Sequence, residues 1–211
     1  MNIVRFEIDR PKSLLLNVST GPDRTLNWSV EGALEMQKCD PIYSIPIRVF
    51  GSNAPQTEIH IANLEIYLLT RNTSESWFKC DTETPFLYTF INEFAPFGTI
   101  KSQFLSSNAS PEGEHIVAAF TRIQILPKYR NQGLGTSIIA VLPQVAQLCV
   151  GIPPTELSDA NIDFLSISTF HVSDKQRAAD WLTPLGYSWA SKRNHRWLIR
   201  RTAADPNSAA L

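Results

Sequence analysis

Hydrophobic and polar positions alternate, though imperfectly, in NIVRFEI (2–8), near the start of the chain. The segments IPIRVFG (45–51) and EIHIANLEIYLLT (58–70) follow and are rich in β-branched and aromatic residues. Alternation of this kind indicates strands that bury one face. The segment GSNAPQT (51–57) combines Gly, Asn and Pro, so we predict a hairpin between the last two strands. We interpret residues 1–70 as a β-rich N-terminal part of a single domain.

The hydrophobic period changes to three and four in TPFLYTFINEFAPFG (84–98). This spacing places five apolar side chains on one helical face, namely Phe86, Leu87, Phe90, Ile91 and Phe94. Pro85 suits the first helical position, and Pro96 ends the helix. The flanking segments are polar and rich in turn formers. We therefore predict that residues 71–113 form a connection made of one helix and loops.

Strand and helix patterns alternate through residues 114–201. We predict, in order, the strand HIVAAFTRIQIL, the helix GLGTSIIAVLPQVAQLCV, the strand IDFLSIST, the helix SDKQRAADWLTPLGY and the closing strands YSWAS and HRWLIRR. Pro143 falls inside the first helix and should kink it. The β-α-β-α-β-β order predicts an α/β or α+β sandwich. Residues 202–211 are small and polar, and we expect them to form a flexible tail.

Composition and charge narrow the functional classes. The chain has 211 residues, 43% hydrophobic and 18% charged, with a formal net charge of −1, so a general nucleic-acid binder is not indicated. Cys39, Cys80 and Cys149 are far apart, which favours neither a disulfide framework nor a metal site. No signal peptide and no run of about 18 apolar residues is present, so we expect a cytoplasmic protein without a membrane segment.

The strand-to-helix connection contains RNQGLG, at residues 130–135. The first amides of a helix have no acceptor within the helix, and the aligned dipoles give its N-terminus a partial positive charge, so phosphate binds there readily. Glycine lets backbone amides approach a phosphate and take unusual torsions. We therefore predict a pyrophosphate cradle formed by Arg130, Asn131, Gln132, Gly133, Leu134, Gly135 and Thr136. The alternative interpretation is a turn that uses glycine for geometry alone.

Two nucleotide-binding motifs do not fit this loop. A Walker loop requires Lys after its last glycine, and Thr136 follows Gly135 here. A dinucleotide fingerprint requires a third glycine where Ile138 stands and an acidic residue about 20 residues further on, and the segment 149–155 contains no acidic residue. Both nucleotide interpretations are therefore weakened.

The loop resembles the Arg/Gln-x-x-Gly-x-Gly/Ala signature of the GNAT-type N-acetyltransferases. The similarity extends over FTRIQILPKYRNQGLGTSII (120–139), which resembles the fourth strand, loop and third helix of that family. Further along, DFLSIST (163–169) and AADWLTPLGYSW (178–189) resemble its fifth strand and its Ala-x-x-Phe-Tyr-x-x-x-Gly-Phe segment. The resemblance covers residues 114–201 and includes nothing in residues 1–113.

The resemblance implies an α+β fold with a mixed, mostly antiparallel sheet that is splayed at its centre and flanked by helices. It implies acetyl-CoA as co-substrate, no metal, and direct attack on the thioester by the amine of a small molecule or peptide. The cradle would bind the pyrophosphate, and the pantetheine arm would pair with the backbone of Ile123, Gln124 and Ile125. A homodimer is compatible with the fold that this resemblance implies.

The proton-transfer groups are less evident. The resemblance places the family's thiolate-protonating Tyr at Leu182, and a leucine side chain cannot donate a proton. His171 follows the fifth strand and is a candidate general base, since imidazole titrates near neutrality; the alternative is a loop histidine with no catalytic role. Two functions therefore remain open: an N-acetyltransferase acting on an unidentified amine, and a non-catalytic acyl-CoA-binding or protein-interaction module.

Overall fold

The computed structural model describes residues 1–8, 14–32, 42–54, 57–69, 85–94, 101, 116–151, 153–156, 162–167, 175–190 and 197–201. Its strands are β1 (Asn2–Ile8), β2 (Leu14–Thr20), β3 (Leu26–Gly32), β4 (Ile42–Ser52), β5 (Ile59–Leu69), β6 (Ile116–Ile125), β7 (Ile162–Ile167), β8 (Ser188–Trp189) and β9 (Trp197–Arg201). Its helices are α1 (Pro85–Phe94), α2 (Leu134–Cys149) and α3 (Lys175–Leu182). All strand pairs with a described register are antiparallel. The predicted α+β class with a mostly antiparallel sheet is thus confirmed.

The chain divides into two compact units, of which the first contains Met1–Met36, Ser44–Ile66 and Phe120–Ser158. Its strands are hydrogen-bonded in the order β3-β2-β1-β4-β5-β6. The β4–β5 connection agrees with the predicted hairpin, and the amide of Thr57 donates to the carbonyl of Ala54 at 3.3 Å within it.

The core of the first unit lies between α2 and one face of the sheet. Phe6 and Ile8 of β1 and Leu16 of β2 are fully buried on this face, and α2 contacts both strands. From α2, Ile138 and Leu142 are fully buried, four residues apart on the same helical stripe. Burying one such side chain contributes about 1.5–3 kcal/mol, so this apolar stripe fixes α2 on the sheet.

The opposite face of β1 is polar, because successive side chains of a strand point to opposite faces. Arg5 Nη1 lies 2.8 Å from Glu58 Oε2, and Arg48 Nη2 lies 2.7 Å from Glu7 Oε1. Arg5 also lies over the ring of Phe50, 4.4 Å from its centroid. These contacts link β1 to β4 and to Glu58, the residue that precedes β5.

The second unit contains Gln37–Tyr43, Tyr67–Ala119 and Asp159–Leu211. In the hydrogen-bonding order of the sheet, β6 is followed by β7, β9 and β8. The ring of Phe94, at the end of α1, meets Trp197 edge-on, with centroids 5.1 Å apart. Both side chains are fully buried, as is Tyr187 to within 1%. The helix predicted from the period of residues 86–94 therefore contributes to this core, and its helical state is confirmed.

Two features differ from the sequence expectation. The hydrophobic pattern of the sequence did not distinguish β2 from β3. These two strands pair as an antiparallel hairpin before β4. Pro184 does not continue α3: the helix ends at Leu182 and is followed by a 3-10 turn, Thr183–Leu185, because proline lacks the amide that an α-helical ladder needs. Among the described residues, no helix is both long and apolar enough to cross a membrane.

Candidate cofactor-binding loop

The chain turns sharply between β6 and α2. Leu126 is extended, with φ −60° and ψ 140°, and a 3-10 turn over Pro127–Tyr129 follows. The amide of Tyr129 donates to the carbonyl of Leu126 at 2.8 Å, and its side chain is 9% exposed. The side chain of Tyr129 is therefore buried at the turn.

Left-handed backbone at two positions reverses the chain before the helix begins. Asn131 has φ 61° and Gly133 has φ 74°. Asparagine and glycine are the residues that adopt this region most readily. Gly135 was expected to share this role, but it lies inside α2 and is not among the positive-φ residues. Glycine is therefore needed for its torsions at Gly133 and not at Gly135. At Gly135 the remaining reason for glycine is that it has no side chain.

The N-terminus of α2 has no side-chain cap, and Gly133 occupies the N-cap position. The helical ladder begins with the amide of Ser137, which donates to the carbonyl of Gly133 at 3.1 Å. The preceding amides, beginning with those of Leu134 and Gly135, have no acceptor within the helix. An uncapped N-terminus with about half a positive charge is a favourable seat for an anion.

Side chains of the loop differ in what they can offer a ligand. Arg130 is exposed, and its Nε donates to the carbonyl of Ile125 at 3.1 Å, which leaves the two terminal nitrogens of its guanidinium directed elsewhere. Gln132 Nε2 lies 3.4 Å from the carbonyl of Lys128. Leu134 is 3% exposed, so its side chain packs in the core and only its amide can serve the cradle. Thr136 is exposed on the first helical turn.

The end of β6 is more exposed than its beginning. Ala118, Ala119 and Phe120 are at most 4% exposed, whereas Ile123 and Ile125 are half-buried. Isoleucine is usually buried in a strand core. The apolar surface of this strand therefore remains partly uncovered next to the loop, where the pantetheine arm is expected.

Hydrogen bonding gives the orientation of this strand end. The amide of Leu126 donates to the carbonyl of Ile61 in β5 at 2.9 Å. In a regular ladder, backbone groups point alternately to the two sides, so Gln124 shares the β5 side with Leu126. The backbone groups of Ile123 and Ile125 then point away from β5, consistent with the Arg130 contact to Ile125. The contact of Arg130 with Ile125 thus lies on the side of β6 to which the backbone groups of Ile123 and Ile125 point.

Leu182, which the resemblance aligns with the thiolate-protonating Tyr of the family, is buried. Leu182 is 3% exposed, whereas the preceding Trp181 is 41% exposed. Among the described residues, the neighbouring phenol of Tyr187 has no hydrogen-bond partner. Burial raises its pKa above the ordinary value of 10.0, and the charge of Arg200 opposes this shift. Neither side chain is accessible as a proton donor in the described part of the chain.

The two histidines considered as acid–base groups differ in what the structure describes. His171, the candidate base, lies outside the described residues and keeps its status as a prediction. His60 lies within them, with Nε2 3.1 Å from the carbonyl of Ala62 and 3.0 Å from Asn63 Oδ1. These contacts and its ring packing on Phe50 indicate a structural role. The described residues contain no cluster of three or more His, Cys, Asp or Glu that could hold a metal ion.

Comparison with known proteins adds no assignment. No protein-family model matches the chain, and no curated protein matches it.

Proposed function

We propose that the chain is an acetyl-CoA-dependent N-acetyltransferase that transfers the acetyl group directly to an amine of a small molecule or peptide. The proposal rests on the resemblance of residues 114–201 to the GNAT family. The observation that carries it is the uncapped N-terminus of α2, which follows two left-handed residues, Asn131 and Gly133, directly after β6. This geometry fits a loop whose amides surround a pyrophosphate.

The binding mode follows from the two sides of this turn. The amides of Leu134 and Gly135 would bind the pyrophosphate, and the terminal guanidinium nitrogens of Arg130 would add charge-assisted hydrogen bonds. The pantetheine amides would pair with the outward backbone groups of Ile123 and Ile125. The Ile125 carbonyl already accepts Arg130 Nε, but a carbonyl oxygen has two lone pairs and can accept a second donor.

The chemistry requires a neutral amine, stabilisation of the oxyanion, and a proton for the departing thiolate. In the resemblance-based assignment, His171 would take the proton from the amine. Leu182 supplies no proton to the thiolate, so the thiolate would leave into water or be protonated by another group. No step requires a metal ion.

A second candidate is a non-catalytic acyl-CoA-binding or protein-interaction module on the same scaffold. The burial of Leu182 at the position of the usual proton donor favours it. The two candidates share the cofactor-binding loop and differ only in turnover. A measurement of binding alone therefore tests the loop, and a measurement of product formation separates the candidates.

The test combines a titration with a turnover assay. Isothermal titration should show binding of acetyl-CoA and much weaker binding of acetyl-pantetheine, which lacks the pyrophosphate. Incubation of the chain with acetyl-CoA and a panel of amines, polyamines and peptides should release free thiol above the hydrolysis background. Equal affinity for both ligands, or no binding of either, would refute the cofactor assignment. Tight binding of acetyl-CoA without turnover on the panel would favour the binding module.

A further inference from the structure

Strand β3 ends the hydrogen-bonding order of the first unit, and among the residues that the structure describes it pairs with β2 alone. It is seven residues long, and all of its residues except the half-buried Trp28 are exposed. In the register with β2, Val30 lies opposite Leu16 and Trp28 opposite Val18, and both β2 partners are buried. The apolar side chains of β3 therefore lie on the same face of the sheet as the buried residues of β2, but they are exposed to solvent. Leu26 is 38% exposed and Val30 is 37% exposed.

The β2–β3 turn determines which backbone groups face the outer edge. The amide of Gly21 donates to the carbonyl of Thr25 at 2.8 Å, which makes these two residues a hydrogen-bonded pair. Hydrogen-bonded and non-hydrogen-bonded pairs alternate along an antiparallel ladder. The residues of β3 that bond to β2 are consequently Asn27, Ser29 and Glu31. The residues whose N–H and C=O groups point to the outer edge are Leu26, Trp28, Val30 and Gly32.

The 3-10 turn Pro154–Glu156 contacts β3, but the sequence of the strand itself has few of the features that protect an edge from pairing. Natural edge strands are blunted by lysine, proline, bulges or short length. The sequence of β3, LNWSVEG, contains neither lysine nor proline, and its register with β2 is continuous over all seven residues. In the second unit, by contrast, the terminal strand β8 is two residues long. The β3 edge thus offers a full-length row of donors and acceptors beside exposed apolar side chains.

We propose that β3 is a self-association surface, and that its occupant is β3 of a second copy of this chain, in antiparallel orientation about a two-fold axis at Ser29. This register pairs all seven residues. It places Trp28 opposite Val30 of the second copy, and both belong to the set whose backbone groups point outward. An aromatic side chain opposite a β-branched one is a stabilising cross-strand pair. The register would form about eight hydrogen bonds between the two copies.

The polar face of β3 is complementary to itself in the same register. Asn27 lies opposite Glu31 of the second copy, so the amide of one meets the carboxylate of the other, twice by symmetry. The two Glu31 carboxylates lie at opposite ends of the paired strands and do not repel each other closely. Self-pairing therefore satisfies hydrogen bonding, apolar burial and charge together, which favours a second copy over an unrelated strand.

The association is tested on the full chain by sedimentation velocity over a range of protein concentrations. The native chain should form a dimer. Val30→Pro removes one outward amide without removing a hydrogen bond to β2, since proline is tolerated on edge strands, and Val30→Lys places a charge beside Trp28 of the second copy. Both variants should shift the chain to monomer, with an unchanged circular dichroism spectrum. A native monomer at all concentrations, or a native dimer that survives both changes in folded protein, would overturn the proposal.

The register is tested by cysteine cross-linking. In the proposed dimer the two copies of Ser29 form a non-hydrogen-bonded pair, with Cα atoms about 4.5 Å apart, within reach of a disulfide. Ser29→Cys should therefore give a covalent dimer under mild oxidation. Asn27→Cys is the matched control, because it lies on the same strand and face but about 13 Å from its symmetry mate. Cross-linking through position 27 and not through position 29 would reject the Ser29-centred register.

Discussion

The carbonyl oxygen of Gly133 accepts the backbone N–H of Ser137 at 3.1 Å and lies 3.4 Å from the Ser137 hydroxyl oxygen. This pair begins the hydrogen-bond ladder of α2. It also separates the bonded part of the helix from the amides of Leu134 and Gly135, which precede Ser137 and have no acceptor within the helix. The torsions of Gly133 therefore decide both where the helix starts and where these amides point.

The first prediction concerns the backbone of Gly133. A Cβ at this position would meet nothing within 4 Å, so the cost of a side chain comes from φ 74° alone. Gly133→Ala should lower the free energy of unfolding by about 1–2 kcal/mol, and Gly133→Asn by less, because asparagine tolerates left-handed backbone. Urea unfolding of the three proteins measures both differences.

Gly135→Ala is the control for this series. Gly135 lies in the first turn of α2 and is not among the positive-φ residues, so alanine should maintain stability or raise it by up to about 1 kcal/mol. A loss at Gly135 as large as the loss at Gly133 would contradict the assignment of the torsional role to Gly133 rather than to Gly135.

The second prediction concerns phosphate binding. Gly135→Glu adds bulk and a negative charge beside the amides proposed to hold the pyrophosphate, so the affinity for acetyl-CoA should fall at least about 100-fold, the equivalent of some 2.7 kcal/mol. Isothermal titration measures the change. Thr183→Glu, which adds the same charge at an exposed position outside the loop, should bind acetyl-CoA as the native chain does. Unchanged affinity in folded Gly135→Glu protein would defeat the cofactor assignment.

The loop also shows which parts of a site can be deduced from sequence. Gly133 and Gly135 look equivalent in RNQGLG, yet one is left-handed and the other helical. Glycine is compatible with both regions, so residue type alone could not distinguish them. The same pattern did not reveal the left-handed Asn131, although asparagine is a common non-glycine residue in that region.

Among the strands, too, some could be predicted from the sequence and others could not. The alternation in residues 2–8 predicted β1 correctly, because Phe6 and Ile8 are buried while Arg5 and Glu7 form ion pairs on the other face. β3 was harder to delimit, because six of its seven residues are exposed and a strand exposed on both faces has little hydrophobic contrast. Its place at the edge depends on long-range pairing, which no local pattern encodes.

The third prediction concerns Cys149. Burial raises the pKa of this thiol from 9.0 to about 12. The folded chain then holds its proton more tightly than the unfolded chain, so this group has no effect on stability below pH 9. Between pH 9 and about pH 12 the unfolded thiol ionises first, and stability should fall by up to about 1.4 kcal/mol per pH unit.

Cys149→Ala isolates this contribution. The variant should be less stable at neutral pH because a buried sulfur is removed, but its stability should decline less steeply from pH 9 to 12 than that of the native chain. Urea unfolding at several pH values measures both slopes, and the difference between them cancels other titrating groups. Parallel slopes for the two proteins would show that the thiol is not buried in solution.

The fourth prediction concerns His171 as the general base. If it accepts the proton of the attacking amine, His171→Ala should lower kcat/KM by roughly 100-fold or more, in line with general-base contributions of about 10²–10⁴. The acid limb of the pH–rate profile should disappear with the imidazole. Affinity for acetyl-CoA should remain within about twofold of the native value, because the pyrophosphate is bound at residues 130–136. A twofold change in affinity corresponds to well under about 1 kcal/mol of binding free energy.

His60→Ala is the comparison that separates catalysis from structure. His60 contacts the Ala62 carbonyl and Asn63, so its loss should lower stability while leaving the acid limb in place. A His171→Ala protein with a near-native rate and the same acid limb would show that His171 is a loop residue without a catalytic role. The proton would then pass from the amine to solvent, a route that the half-buried end of β6 at Ile123 and Ile125 leaves open, and the pH dependence would follow the pKa of the amine itself.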